Sequence, residues 1–221
     1  AKVLGKPLAK IATKIMLGSK INTMNLEEIN INHFAIKEAV FPFKRFTGVD
    51  TILGPEMRST GEVMGIDKDF GMAFAKSQIG SGSKIPIGGA VFVSVKDGDK
   101  DKILKPVSEL ISLGFKIYAT DGTAEFFNKN NIKAEKINKV LQGSPHIVEM
   151  ISEKKISLVF NTTETPQAIK DSKSIRRSAL ESETPYYTTV SGANAAVMAI
   201  KAIRNNEMTV KTIQSFGESL N

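Results

Sequence analysis

The sequence predicts an α/β protein: a small doubly wound parallel sheet preceded by a shorter, incomplete α+β unit. Two observations carry this. From about residue 85 onward, short apolar runs alternate regularly with helical patterns, as parallel strands joined by right-handed crossovers require. Before that point the patterning is sparse, and "IGSGSKIPIGG" (79–89), rich in Gly, Ser and Pro, separates the two textures. The expected units are therefore 1–84 and 85–221.

In the first unit, Leu8, Ile11, Ala12, Ile15 and Met16 recur at helical spacing between Pro7 and Leu17. "FAIKEAVFPF" (34–43) reads as a strand stopped by Pro42, and "DFGMAFAKSQ" (69–78) as a short helix. In the second unit "GAVFVSV" (89–95) is a buried strand. The helix after it buries Ile103, Leu104, Val107, Leu110 and Ile111 and ends at Gly114. Pro106 suits only a first turn, which leaves the start of that helix open. "FKIYA" (115–119) is the second strand, and a helix is expected over Ala124 to Lys129. A short strand over Ala134 to Ile137 leads to a helix with Ser144 as N-cap and Pro145 at its first position. "ISLVFN" (156–161) is a strand, "TPQAIKDSKSIRRSALE" (165–181) one helix and "PYYTT" (185–189) a strand. "GANAAVMAIKAIR" (192–204) is apolar almost all round, hence a buried closing helix.

Composition narrows the function classes. No apolar run approaches the twenty or so residues of a membrane span, and the first ten residues lack the apolar core of a secretory signal. The chain opens on Ala rather than Met, which suggests a fragment or a processed product. With no Cys there is neither disulfide nor thiolate metal site, compatible with a reducing cytoplasm. His33 and His146 lie far apart, which argues against a His-based metal site or a nucleophile–His dyad. The net charge of +7 comes from Lys scattered among acids, as in "KDGDKDKILK" (96–105). That reads as a solvated surface rather than a nucleic-acid face, although its field can draw small phosphorylated ligands.

Each strand of the second unit that leads into a helix ends in hydroxyl or amide residues. Ser94 ends the first, ahead of Lys100; Thr120 and Thr123 follow the second. Asn161, Thr162 and Thr163 follow a later one, and Thr188 and Thr189 the last. Hydroxyls and free N–H groups at helix starts make an anion site, because a helix N-terminus carries about half a positive charge. Lys100 and Lys139 add full charges. Yet "TDGT" (120–123) alone is more often a helix cap and "NTT" (161–163) a turn, so spacing leaves both readings open.

The motif "LGPEMRSTGEVMGIDKDFGMAFAKSQIGSG" (53–82) closely resembles a stretch of carbamoyl phosphate synthetase large subunits. "SVKDGDK" (94–100), "ATDGTAEFF" (119–127), "INKVLQGSPHI" (137–147), "FNTT" (160–163) and "IRRSAL" (175–180) are similar to their C-terminal allosteric domain. The resemblance runs along essentially the whole chain. It implies that 1–84 is the tail of the second, carbamoyl-phosphate-forming ATP-grasp unit, and that 85–221 has the methylglyoxal-synthase-like fold, binding regulatory nucleotides. The ATP, magnesium or manganese and potassium of such a subunit would be held upstream, so this stretch alone is expected to be non-catalytic. Expected partners are the rest of the large subunit, a small glutaminase subunit, UMP or IMP, and ornithine; neither nucleic acid nor membrane is expected.

Carried over residue by residue, the family's nucleotide-phosphate site falls on Ser94, Lys100, Thr120, Thr123, Lys139, Asn161 and Thr163. With the resemblance added, "TDGT" is best read as a phosphate cradle. The family's ornithine site falls on Glu38, Tyr186 and Thr188, its other acidic ligands lying upstream. The chain departs from some relatives after "NTT", where "ETPQ" (164–167) replaces basic residues and Glu164 disfavours an anion. Arg176 and Arg177 are read as structural, on a helix that buries Ile175 and Ala179 while the guanidiniums pair with neighbours such as Asp171. Glu56, Arg58 and Glu62 are also read as structural. The competing reading is a lyase of the methylglyoxal synthase class, which needs a carboxylate base beside the phosphate; "NTT" holds no Asp, and Asp121 is a weak candidate.

Overall fold

The protein is represented by a computed structural model, which describes residues 1–24, 26, 30–43, 51–52, 59–138 and 143–218. Lys139, Glu56 and Arg58 fall outside the described residues. Helix α1 (Leu8–Met16) forms where the apolar spacing predicts, yet none of its residues is buried. Strand β1 (Phe34–Val40) pairs antiparallel with β2 (Gly61–Asp67), Glu38 lying opposite Val63. Sequence reading missed β2, whose Gly61 and Gly65 are poor strand formers. Gly65 is needed because helix α2 (Phe70–Gly80) crosses directly over it: a Cβ there would lie 2.0 Å from the Ala73 carbonyl oxygen. Asp69 caps α2 by accepting from the Met72 N–H at 2.8 Å.

The second half is a parallel sheet of five strands: β3 (Ala90–Ser94), β4 (Lys116–Ala119), β5 (Glu135–Lys136), β6 (Leu158–Asn161) and β7 (Tyr186–Tyr187), in the order β5-β4-β3-β6-β7. Between them run α3 (Lys100–Ser112), α4 (Asp121–Lys129), α5 (Ile147–Ser152), α6 (Pro166–Asp171) and α7 (Lys173–Glu181). Helices α8 (Val190–Asn205) and α9 (Ile213–Glu218) follow. The two-residue alternation of strands explains the two cores. Val91, Val93, Ile117, Leu158 and Phe160 face α3, α4 and α8. Ala90, Phe92 and Val159 face α5 and α7. Strand order reverses between β3 and β6, so Ser94 and Asn161, paired in register, flank the switch point where such sheets take their ligands.

Three local expectations are corrected. Helix α4 begins at Asp121 rather than Ala124, so "DGT" is its first turn. Helix α5 is capped by His146, not Ser144: Glu149 accepts from the His146 N–H and from the Ser144 hydroxyl, both at 2.9 Å, which takes that hydroxyl away from the backbone. The single helix expected over 165–181 is two, meeting at Ser172. There the Arg176 guanidinium donates to the Ile169 carbonyl at 2.9 Å, satisfying a carbonyl that a continuous helix would have bonded. Pro106 sits inside α3 and is buried; the burial of Ile103, Val107 and Leu110 around it offsets the lost N–H.

The halves meet through α2 and α8. Gly71 is the point of closest approach, since a Cβ there would stand 2.4 Å from the Met198 carbonyl oxygen.

Candidate functional site

At the carboxyl ends of β3 and β4, a pocket of about 230 Å³ is lined by Ser94, Val95, Asp97, Lys100 and the Thr120–Thr123 turn. Thr120 holds the N-cap position of α4 but makes no capping bond. Its hydroxyl instead lies 3.3 Å from both Ser94 Oγ and Thr123 Oγ1, with one proton to share between them. The side chain that could cap the helix start thus faces the pocket, and the Thr123 N–H donates to the Thr120 carbonyl at 2.9 Å. Lys100 reaches the same turn: its Nζ would lie 3.7 Å from a Cβ on Gly122, and it stands 5.8 Å from the centre of the Phe126 ring. Its ion partner is Asp97, at 2.7 Å. Asp121 is paired with Lys136. Four of the residues predicted for the phosphate site, Ser94, Lys100, Thr120 and Thr123, are thus brought together.

Asn161 and Thr163 lie outside this lining. Asn161 is buried and its amide donates to the Tyr186 hydroxyl at 2.6 Å. Tyr186 in turn lines a second, larger cavity of about 920 Å³ between the two sheets. Glu38, Tyr186 and Thr188, the residues expected for ornithine, share that cavity with Arg176, Glu183 and the stacked rings of Phe41 and Phe43. Glu38 bonds to Gln78, which bonds to Tyr187. Burial pushes the Glu38 carboxyl above its ordinary range, and the Gln78 hydrogen bond pulls it partly back. Burial and then the Glu38 charge hold the Tyr187 phenol well above its ordinary value.

Residues 102–188 match the family described as MGS-like domain. This stretch is an MGS-like domain. The match starts just after Lys100, so Thr120, Thr123, Asn161, Thr163, Tyr186 and Thr188 lie within the matched residues while Ser94 and Lys100 precede them. Along nearly its whole length the chain is also homologous to carbamoyl phosphate synthase large chains. It is 50% identical over 225 residues to that of Rhizobium meliloti (strain 1021), covering 99% of this chain and 19% of the relative. To that of Mesorhizobium japonicum it is 51% identical over 222 residues, covering 98% and 19%. To that of Methanobrevibacter smithii it is 50% identical over 214 residues, covering 96% and 20%. The chain therefore spans about a fifth of the length of these relatives.

Sequence reading missed Asp97 in the pocket of the MGS-like domain. Its spacing of three residues from Lys100 was a usable signal, since α3 begins at Lys100. It also missed Gln78 and Tyr187, which no local spacing reveals. Glu164, expected to oppose an anion, is paired with Lys96 at 3.5 Å on the exposed loop. Arg177 pairs with Glu181 one turn on, at 3.4 Å. Arg176 is buried, bonded to Ile169 as above. Glu62 pairs with Lys37. No described helix is long and apolar enough to cross a membrane.

Proposed function

We propose that this chain is the regulatory C-terminal part of a carbamoyl phosphate synthase large subunit, its units dividing near residue 84. Residues 85–221 bind a nucleotide effector by its phosphate, at Ser94, Lys100, Thr120 and Thr123. The observation that carries the reading is the hydroxyl cluster at the start of α4, where Thr120 turns away from capping and towards Ser94 and Thr123. Lys139, Asn161 and Thr163 complete the proposed nucleotide site. Glu38, Tyr186 and Thr188 contribute to an ornithine site in the larger cavity, whose lining offers carboxylates for ammonium groups and also includes Arg176. In the whole subunit this regulation acts on ATP-dependent, glutamine-hydrolysing carbamoyl phosphate synthesis for pyrimidine and arginine biosynthesis in the cytoplasm. The subunit works there beside a small glutaminase partner. The residues holding ATP, magnesium and potassium are expected in the remaining part of the subunit, and this chain alone is non-catalytic.

Calorimetric titration with UMP, IMP and ornithine tests the reading. A nucleotide should bind, and adding inorganic phosphate should compete with it. No binding of any phosphorylated nucleotide would sink the assignment. The lyase reading is favoured by one observation, that Asp97 and Asp121 both line the pocket. Each is already paired with a lysine, which occupies the carboxylate that a base would need free. Methylglyoxal release from dihydroxyacetone phosphate would reverse the choice.

A further inference from the structure

Glu38 is held by a chain of two hydrogen bonds that starts on the other sheet. The Tyr187 hydroxyl donates to Gln78 Oε1 at 3.2 Å, and Gln78 Nε2 donates to Glu38 Oε2 at 3.0 Å. The three residues lie on β7, α2 and β1. Only one direction of donation suits an ionised Glu38. A reversed Gln78 would set its carbonyl against the carboxylate, whereas the Tyr187 phenol, with its proton firmly held, can occupy that carbonyl. Gln78 is 6% exposed, so its amide is held almost entirely among protein groups. The Tyr187 ring is fixed between Phe74 and Phe160, each with its centroid 6.2 Å away. One carboxylate oxygen of Glu38 is thereby tied to α2, on a side chain that lines the cavity.

We propose that Gln78, oriented by Tyr187, is a positioning residue that presents the Glu38 carboxylate to an ammonium-bearing ligand in the cavity. This rests on the reading of that cavity as an ornithine site and adds the device that sets its acceptor. Among the described residues, the charges nearest Glu38 have the following partners or places. Arg176 and Glu183 line the same cavity from α7 and the turn after it, and Glu183 is paired with Lys84. Lys37 is committed to Glu62 on the paired strands, and Lys76 on α2 to Asp67. Tyr186 faces the cavity and is bonded by Asn161. Gln78 is therefore the neutral donor that favours the charged form of Glu38.

The test follows the Glu38 side-chain carboxyl by carbon NMR against pH, in this chain and in its Gln78→Leu and Tyr187→Phe variants. Ornithine titrations are run in parallel on the large chain that carries this segment. Gln78→Leu should raise the Glu38 midpoint and weaken ornithine about tenfold, the scale of one hydrogen bond to a charged group. Tyr187→Phe keeps the ring and the Gln78 donor, so both effects should be in the same direction and smaller. Unchanged midpoints in both variants would overturn the proposal while leaving the cavity reading standing if ornithine still binds. Shifted midpoints with no ornithine binding to wild type would support the positioning of Glu38 and overturn the ornithine reading.

Discussion

The small pocket draws its whole lining from residues 94 to 123, one strand–helix–strand–turn unit. The larger cavity gathers β1, the 81–83 turn and the 176–188 segment, the first and last of which lie more than a hundred residues apart in sequence. The first is made of hydroxyls, two acids, a lysine and backbone around a helix start; the second joins stacked Phe rings to Glu38, Glu183 and Arg176. A site of the first kind persists wherever its sheet folds. The second exists only while two sheets are docked.

The largest expected effect separates them by that docking. Gly71→Val sets a branched side chain where even a Cβ would meet the Met198 carbonyl at 2.4 Å, and backbone on both sides leaves little room to yield. Overpacking of this kind should cost about 3 kcal/mol, the upper part of its usual range. Urea denaturation measures the loss, and ligand titrations read the two sites. Ornithine binding should fall away in the large chain carrying the variant, while nucleotide binding by the folded fraction stays. Equal loss at both sites would show that the pocket also depends on the docked first sheet.

The same division explains what the sequence disclosed. Strands β3 and β6 were legible because both of their faces are buried, so they read as near-continuous apolar runs, whereas β4 buries Ile117 and Ala119 on one face and leaves Lys116 exposed on the other. Ser94, Thr120 and Thr123 were legible because a strand end followed by a helix start forces them together. Strand β2 was not, since Gly65 serves a helix crossing rather than a strand propensity. The Gln78–Tyr187 contact spans 109 positions and two secondary-structure types, and neither residue announces its partner. Glu38 entered through resemblance alone. The Ser144 cap failed for a subtler reason: a carboxylate three residues into the helix competes for its hydroxyl.

Within the pocket, charge should outweigh hydroxyl. Lys100→Ala should weaken phosphate binding by about 1.5–3 kcal/mol and Thr123→Val by about 1 kcal/mol, measured calorimetrically with a nucleoside monophosphate. Ornithine binding in the large chain should not respond to either, and a response would join the two sites energetically. The cavity has its own signature in pH. Because burial places the folded Glu38 carboxyl above its unfolded value, the folded state binds the proton more tightly. Stability should therefore rise as pH falls through the folded midpoint, and level off below the ordinary carboxylate value. Glu38→Gln should lose that limb, read as the difference between wild-type and variant urea midpoints from pH 4 to 7. An unchanged difference across that range would mean that Glu38 is not desolvated in solution.

The smallest effect concerns Asp97, and its sign is the informative part. Asp97 is 94% exposed by side chain and Lys100 20%, so their pair at 2.7 Å joins a solvated carboxylate to a half-enclosed ammonium. Such a pair contributes at most about 1 kcal/mol, and less as salt rises. An incoming phosphate must share Lys100 with this carboxylate and also meets its negative charge. Removing the charge should then tighten phosphate binding by up to about fivefold at low salt, with little gain at high salt. Asp97→Asn is the variant to compare, with Asp97→Glu as the charge-preserving control that should behave like wild type. Nucleotide titration at two ionic strengths reads the effect. If Asp97→Asn weakens binding instead, the carboxylate steers Lys100 towards the α4 turn rather than competing for it. The pocket would then share the logic of the cavity, where Gln78 holds Glu38, and the contrast between a self-contained site and a supported one would no longer hold.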